Sequence, residues 1–256
     1  MPNLLSEIKS LSKSVAQEVV AMRRHLHQHP ELSFQEFETS KYVRERLINK
    51  GIEVEEIKEG IAQTGLVAHI KGNNPASKTI ALRADMDALP IREQNNVPYK
   101  SQNDGLMHAC GHDVHTSSLL GTAYILQELR EKFEGTIKLI FQPGEELIPG
   151  GASLMIKAGV LEKQKPKSLL GQHVAPNIEV GKVGFRSGIY MASADEIYLT
   201  VKGKGGHAAM PDNVIDPVLI TAHIIVALQQ IVSRNANPKI PTVLSFGKVQ
   251  AEGATN

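Results

Sequence analysis

Hydrophobic residues in the first part of the chain recur at three- and four-residue steps, a spacing that places them on one face of a helix. Over residues 4–27 they are Leu4, Ile8, Leu11, Val15, Val19, Met22 and Leu26. Pro30 ends this predicted helix, because the residue before a proline avoids the helical conformation. Residues 33–36 have the Ser-x-x-Glu form of a capping box and predict a second helix to Lys50, which Gly51 stops.

Shorter runs rich in β-branched and apolar residues predict four strands in the next part of the chain. They cover residues 65–71, 79–84, 136–141 and 168–172. Helical spacing from residue 112 to about residue 132, and a short helix ending near residue 158, lie between the later strands. This alternation is typical of an α/β fold, with a mostly parallel sheet and helices on both faces.

The pattern changes after about residue 186. Residues 197–202 and 242–248 predict strands, and residues 215–233 predict a strongly apolar helix. We therefore expect a second, α+β domain, and place residues 1–187 in the first domain and residues 188–256 in the second. The chain ends at Asn256 without an element that closes this domain, so we expect the domain to be truncated.

Composition excludes several classes of partner and location. The 28 basic and 27 acidic residues give a net charge of +1, which favours neither nucleic acid nor an anionic membrane as a partner. A single cysteine excludes an intramolecular disulfide and favours a reducing, cytoplasmic location. The N-terminus lacks the apolar core of a signal peptide, and no run of about 18 apolar residues predicts a transmembrane helix.

Polar residues stand just past the C-terminal ends of three predicted strands. Asp85 and Asp87 follow one strand, Glu145 and Glu146 follow the next, and His173 follows the last. In open α/β sheets this edge is where ligands bind, so we expect these side chains to meet in one cleft.

Residues 107–116 carry the only cysteine, three histidines and an aspartate. Thiolate and imidazole are ligands that borderline-soft divalent metals prefer. Cys110 and His112 flank Gly111, whose backbone freedom lets both side chains converge on one point. Helical spacing begins after Thr116, so the turn lies at a loop-to-helix junction, where the helix dipole would favour a thiolate.

The adjacent acids Glu145 and Glu146 have two interpretations. They form either a solvated surface pair or, beside the Cys/His pair at a strand end, part of a metal centre. Neighbouring residues of an extended segment point opposite ways, so we assign Glu146 to the metal and Glu145 to the substrate, as general base and then acid. A divalent ion lowers the pKa of bound water from 15.7 to about 7, and two ions about 3.5–4 Å apart share a hydroxide.

Five motifs in order carry a family resemblance over nearly the whole chain. They are residues 23–33 (RRHLHQHPELS), 82–90 (LRADMDALP), 108–113 (HACGHD), 141–146 (FQPGEE) and 205–211 (GGHAAMP). The sequence resembles the binuclear-metal aminoacylase and carboxypeptidase family. Within it, the chain is similar to the branch of N-acyl-amino-acid amidohydrolases, hippurate hydrolases and plant auxin-conjugate hydrolases.

The resemblance implies a zinc-exopeptidase-like catalytic domain with an inserted lid and dimerisation domain. It implies two divalent metal ions, manganese or zinc first and cobalt or nickel next, and hydrolysis of N-acyl amino acids by metal-bound hydroxide. The implied ligands are Cys110, in the place of a bridging carboxylate, with His112, Glu146 and His173.

The remaining implied roles fall on residues around those ligands. Glu145 is the general acid/base and Asp87 orients a ligand, while Asp85 replaces a metal-binding histidine of other branches and is not made a ligand. His207, on the lid, would reach a partner's active site in a homodimer and polarise the scissile carbonyl. Family members continue beyond the point where this chain ends and supply a last metal-binding histidine.

Two alternatives stay open from the sequence. In the first, Cys110 is the nucleophile of a cysteine hydrolase with a nearby histidine as base, which leaves Glu145, Glu146 and His173 without a role. In the second, the chain is a truncated, catalytically inactive fragment that still binds metal.

Overall fold

A computed structural model of the chain describes residues 3–55, 62, 64–190 and 193–253. The chain divides into two compact units, Met1–Glu179 and Val180–Asn256. The domain boundary predicted after residue 187 stays a prediction.

The first unit is built on a five-stranded sheet. Its strands are β1 (Glu53–Glu55), β2 (Leu66–Lys71), β3 (Thr79–Asp85), β4 (Thr136–Gln142) and β5 (Ser168–Gly171), in the order β1-β2-β4-β3-β5. β4 and β5 both pair in parallel with β3, whereas β2 is antiparallel to both of its neighbours. Four strands therefore run in one direction, which confirms the predicted mostly parallel sheet.

Helices cover both faces of this sheet. The helices are α1 (Leu4–Gln28), α2 (Phe37–Asn49), α3 (His112–Glu128) and α4 (Gly151–Lys157), and a short 3₁₀ turn, Arg130–Lys132, follows α3. Alternate residues of β2 point to opposite faces. Leu66 and Ile70 join the core that contains residues of α1, α2 and α3, while Val67 joins a second core with Met155 of α4.

The N-terminus of α2 is not closed by the predicted capping box. The hydroxyl of Ser33 donates to Asp87, and the carboxylate of Glu36 makes no cap hydrogen bond in the described part of the chain. The cap comes instead from Glu31, whose carboxylate accepts two backbone N–H groups of the first turn at 2.8 and 3.2 Å. The capping-box prediction was wrong because both of its polar side chains have tertiary partners.

The described part of the second unit contains one long helix. α5 (Pro217–Gln230) begins at Asp216, whose carboxylate accepts the backbone N–H groups of Val218 and Leu219, and a π turn, Ile231–Asn235, continues it. A 3₁₀ turn, Pro211–Asn213, precedes α5. The strands predicted at residues 197–202 and 242–248 are not formed, because neither segment has a ladder partner among residues 193–253.

Only one helix of the described residues has the length and composition to cross a membrane, namely Pro217–Asn235 with a mean hydropathy of 1.3. A core helix of a soluble protein passes the same test, so this helix by itself is a weak sign of a membrane span.

Candidate metal centre

The ends of three strands and the start of α3 meet at one place in the first unit. Single ligand atoms of Cys110, His112 and His173 lie within 4.8 Å of one another, and so do those of His112, Glu145 and Glu146. His112 belongs to both groups and is therefore the centre of the cluster. The structure thus brings together the four metal ligands and the general base that were predicted from sequence.

Gly111 makes the turn that places Cys110 and His112 side by side. It has a φ of +88°, in the left-handed region, and stands at the N-cap of α3. A Cβ at this position would also overlap a methyl group of Val174, in the loop that carries His173. Only glycine meets both conditions without strain.

His112 is oriented by Asp87. Its Nδ1 lies 2.8 Å from the backbone oxygen of Asp87 and 3.2 Å from Oδ1, so this nitrogen carries the proton. The other nitrogen, Nε2, faces Oε1 of Glu146 at 3.8 Å. Both of these buried atoms lack a hydrogen-bond partner among the described residues.

Buried polar atoms without partners are costly, and such a pair calls for a ligand. An imidazole nitrogen whose opposite nitrogen donates to a carboxylate and carbonyl is arranged as metal-bound histidines are. The donor types, thiol, imidazole and carboxylate, suit a divalent transition metal. The residues present therefore fit a metal ion between His112 and Glu146.

Asp87 is held as a carboxylate by several donors. Ser33 donates to Oδ2 at 2.6 Å and the backbone N–H of Glu146 donates to the same oxygen at 2.9 Å. Burial alone would raise the pKa of Asp87, but the hydrogen bonds, that of His112 foremost, outweigh it and lower the pKa to about 2. Asp87 therefore links His112 to the backbone of Glu146.

His173 and Cys110 form the other side of the cluster. Nδ1 of His173 donates to the backbone oxygen of Val174 at 2.7 Å, which leaves Nε2 facing the sulfur of Cys110 at 3.4 Å. Burial, followed by the hydrogen bond and charge of Glu146, raises the pKa of the Cys110 thiol to about 12.

This pKa corrects the expectation that the start of α3 would favour a thiolate. The carboxylates around Cys110 outweigh the helix dipole, so a thiolate at this position needs a cation beside it. The same shift opposes the cysteine hydrolase, whose nucleophile must ionise near neutral pH without help from a metal.

Glu145 is the accessible acid of the cluster. Its side chain is 42% exposed, whereas that of Glu146 is 23% exposed. Burial, and then the charge of Glu146, raises the pKa of Glu145. An exposed carboxylate with a raised pKa beside a candidate metal site has the properties of a general base.

His115 is a site residue to which the sequence analysis gave no role. Its Nδ1 lies 2.6 Å from Oδ1 of Asp85, and its Nε2 accepts the backbone N–H of Val174 at 2.9 Å. Both ring nitrogens have hydrogen-bond partners, so we assign His115 a positioning role, although ligand atoms of Asp85, His112 and His115 also lie within 4.8 Å of one another. The signal for it was its spacing, since it follows His112 by one helical turn.

Two predicted residues are placed differently from the ligands. The carboxylate of Asp85 is bonded to His115 through Oδ1 and to the guanidinium of Arg83 through Oδ2, at 2.6 Å. His207 belongs to the second unit, where its Nδ1 accepts the backbone N–H of Ala209 at 3.1 Å. Its reach to an active site stays a prediction.

Comparison with known proteins agrees with this geometry. The sequence profile of peptidase family M20/M25/M40 matches residues 81–251. The chain is 46% identical over 238 residues to an N-acetylcysteine deacetylase of Bacillus subtilis, covering 93% of this chain and 61% of the relative. It is 45% identical over 251 residues to an N-acyl-L-amino acid amidohydrolase of Geobacillus stearothermophilus, covering 98% of this chain and 66% of the relative.

A solved structure supports the fold. It is that of a Bacillus subtilis protein described as a dinuclear metal-binding peptidase of the M20 family, which is 45% identical. It superimposes with a TM-score of 0.65 over 69% of this chain and 47% of the other. The chain thus spans less than two thirds of the length of the relatives described above.

Proposed function

Because the chain belongs to peptidase family M20/M25/M40, we propose that it hydrolyses the amide bond of N-acyl amino acids with the help of two divalent metal ions. One observation carries the proposal. Nε2 of His112 and Oε1 of Glu146 face each other without partners in the described structure, directly beside the accessible carboxylate of Glu145. The relatives named as a deacetylase and an amidohydrolase support the reaction class.

Cys110, His112, Glu146 and His173 would hold the metal. Bound divalent ions polarise a carbonyl oxygen and lower the pKa of water from 15.7 to about 7. Manganese or zinc are the ions we favour, ahead of cobalt or nickel, because imidazole and thiolate donors suit these metals. Asp87 keeps His112 in the tautomer whose Nε2 is available.

Glu145 would move the proton. Its carboxylate takes a proton from the attacking water and passes it to the amine of the leaving amino acid. The raised pKa brings this group closer to a neutral working pH, at which it both accepts and returns a proton. Its exposure gives a substrate access to it, while Glu146 stays turned towards His112.

The substrate class is proposed from chemistry and from the relatives' names. We favour N-acetyl or hippurate-like N-acyl amino acids, and a soluble, cytoplasmic enzyme that has neither nucleic acid nor membrane as a partner. We further propose that the second unit serves as a lid and dimer contact, through which His207 reaches a partner's site.

The test is a pair of isosteric substitutions, read by metal content and by hydrolysis of N-acetyl amino acids. Glu145→Gln should keep two metal ions per chain and lose at least about 100-fold in kcat, the range of general-base catalysis. Glu146→Gln should lose metal first. Glu134→Gln, on an exposed residue away from the site, is the matched control. Full turnover by Glu145→Gln would refute its assignment.

A chain that binds two ions without turnover would instead support the inactive metal-binding fragment. Hydrolysis by metal-free protein, abolished by alkylation of Cys110, would support the cysteine hydrolase.

A further inference from the structure

Glu36 is a carboxylate buried without an obvious local reason. It stands at the start of α2, has 0% exposure and makes no cap hydrogen bond in the described part of the chain. Its Oε1 accepts the backbone N–H of Gly144 at 2.7 Å, and its Oε2 accepts the hydroxyl of Thr64. Burying a carboxylate costs free energy unless such hydrogen bonds offset it. The partner of interest is Gly144, because this residue directly precedes Glu145.

The backbone is strained on one side of this contact, at Phe34, and takes a left-handed turn that suits glycine on the other, at Gly144. Phe34 has a φ of +63°, an unusual conformation for an aromatic residue, and Gly144 has a φ of +54°. A Cβ at Gly144 would overlap the ring of Phe34. Strain of this kind persists only where the surroundings over-determine it, and it is concentrated at functional sites. Residues 33–36 are therefore pressed against the loop that carries Glu145.

The same segment also acts on the other flank of Glu145. Ser33 donates to Oδ2 of Asp87, and that oxygen accepts the backbone N–H of Glu146. The N–H groups just before and just after Glu145 are thus both held by buried carboxylates. One of these carboxylates is that of Glu36. The other is that of Asp87, which accepts a hydrogen bond from Ser33.

We propose that Glu36 is a positioning residue for Glu145, which it fixes through the backbone N–H of Gly144. Ser33 supports the opposite flank through Asp87. This inference rests on the proposed function, because it gives the general base a fixed approach to the metal centre. A displacement of about 1 Å at a catalytic group costs about 100-fold in rate, so a 10- to 100-fold effect on kcat is expected.

The test separates the reach of Glu36 from its charge. Glu36→Gln keeps the reach, because its amide oxygen can accept the N–H of Gly144 while its NH₂ faces Thr64. Glu36→Asp keeps the charge but falls short by one methylene. In the metal-loaded protein we expect Glu36→Gln to stay within about threefold of the parent in kcat. Glu36→Asp should lose 10- to 100-fold in kcat with two ions retained and KM little changed.

Two control variants isolate the contact between Glu36 and Gly144. Thr64→Val removes the side-chain hydrogen bond of Glu36 and should stay within about twofold. Ser33→Ala removes the bond to Asp87 at a partly exposed position, so it should fold even if Glu36→Asp does not, and should lose about three- to tenfold in kcat. Equal losses in Glu36→Asp and Glu36→Gln, loss of metal in Glu36→Asp, or unchanged kcat in Ser33→Ala would each overturn the inference.

A second readout does not depend on activity. Hydrogen exchange at the Gly144 amide should be protected in the parent and in Glu36→Gln, and at least 10-fold faster in Glu36→Asp. If the parent shows this pattern but hydrolyses no N-acyl amino acid, the proposed function fails while the contact stands. If the parent is active and the exchange rates are equal in all three proteins, the positioning role fails.

Discussion

Replacing His115 with phenylalanine tests how a residue outside the proposed ligand set contributes to stability and to metal binding. The ring volume is nearly kept, but the bonds to Asp85 and to the backbone N–H of Val174 are both lost. A hydrogen bond to a charged group contributes about 1.5–3 kcal/mol, and a neutral one about 0.5–1.5 kcal/mol. We therefore expect a loss of about 2–4.5 kcal/mol in the free energy of unfolding.

The same change should weaken metal binding. Val174 follows His173 directly and accepts its Nδ1–H, so release of Val174 frees the imidazole that faces Cys110. Loss of residues that orient metal ligands typically costs 10- to 100-fold in metal affinity. The measurement is a zinc titration against a chelator of known affinity, with urea unfolding of the metal-free protein beside it.

His108 provides the matched control within the same motif. It is buried, neither of its ring nitrogens has a hydrogen-bond partner in the described part of the chain, and burial lowers its pKa to about 4. Its ring is therefore neutral near pH 7, and His108→Phe removes no hydrogen bond. We expect a change within about 1 kcal/mol and unaltered zinc affinity. Equal effects of His115→Phe and His108→Phe would refute the positioning role of His115.

Three further predictions concern the cluster itself. Gly111→Ala should cost at least about 1–2 kcal/mol from its left-handed φ, plus the overlap with Val174, and its metal content should fall in elemental analysis. Metal binding should displace the proton of the Cys110 thiol, whose pKa is about 12, so the logarithm of zinc affinity should rise with pH; that slope should drop by about one in Cys110→Ser. The pKa of Asp87 is lowered from 3.8 to about 2, so its carboxylate should stabilise the metal-free fold by about 2 kcal/mol above pH 4. This contribution should be lost as the pH falls towards 2, and acid unfolding of Asp87→Asn should lack this loss.

The sequence was sufficient to predict the fold class and to predict that the residues of the cluster lie close together. Strands are bounded by their apolar runs, and parallel strands align their C-terminal ends, so Asp87, Glu146 and His173 had to approach one another. Only one residue type suits the turn at Gly111, which made the Cys/His pair recognisable.

Other features depend on contacts between distant segments and could not be predicted. Ser33 and Glu36 have the local form of a capping box, but their partners come from the ends of β3 and β4. The pKa of the Cys110 thiol is set by burial and by the carboxylates around it, which outweigh the dipole of α3. Strand patterns at residues 197–202 and 242–248 specify an extended backbone but supply no neighbour to pair with.

The order of strands has a consequence for how the first unit folds during synthesis. β2 and β3 are neighbours in the sequence, yet β4 lies between them in the sheet. The ribosome makes β4 only after the whole of α3, so β2 and β3 form no native hairpin, and the edges that will pair with β4 stay open until β4 is made. Non-local pairing of this kind slows folding and exposes strand edges to aggregation. The register that sets Asp85 opposite Gln142, and with it the spacing of the metal cluster, is fixed only when this central strand is inserted.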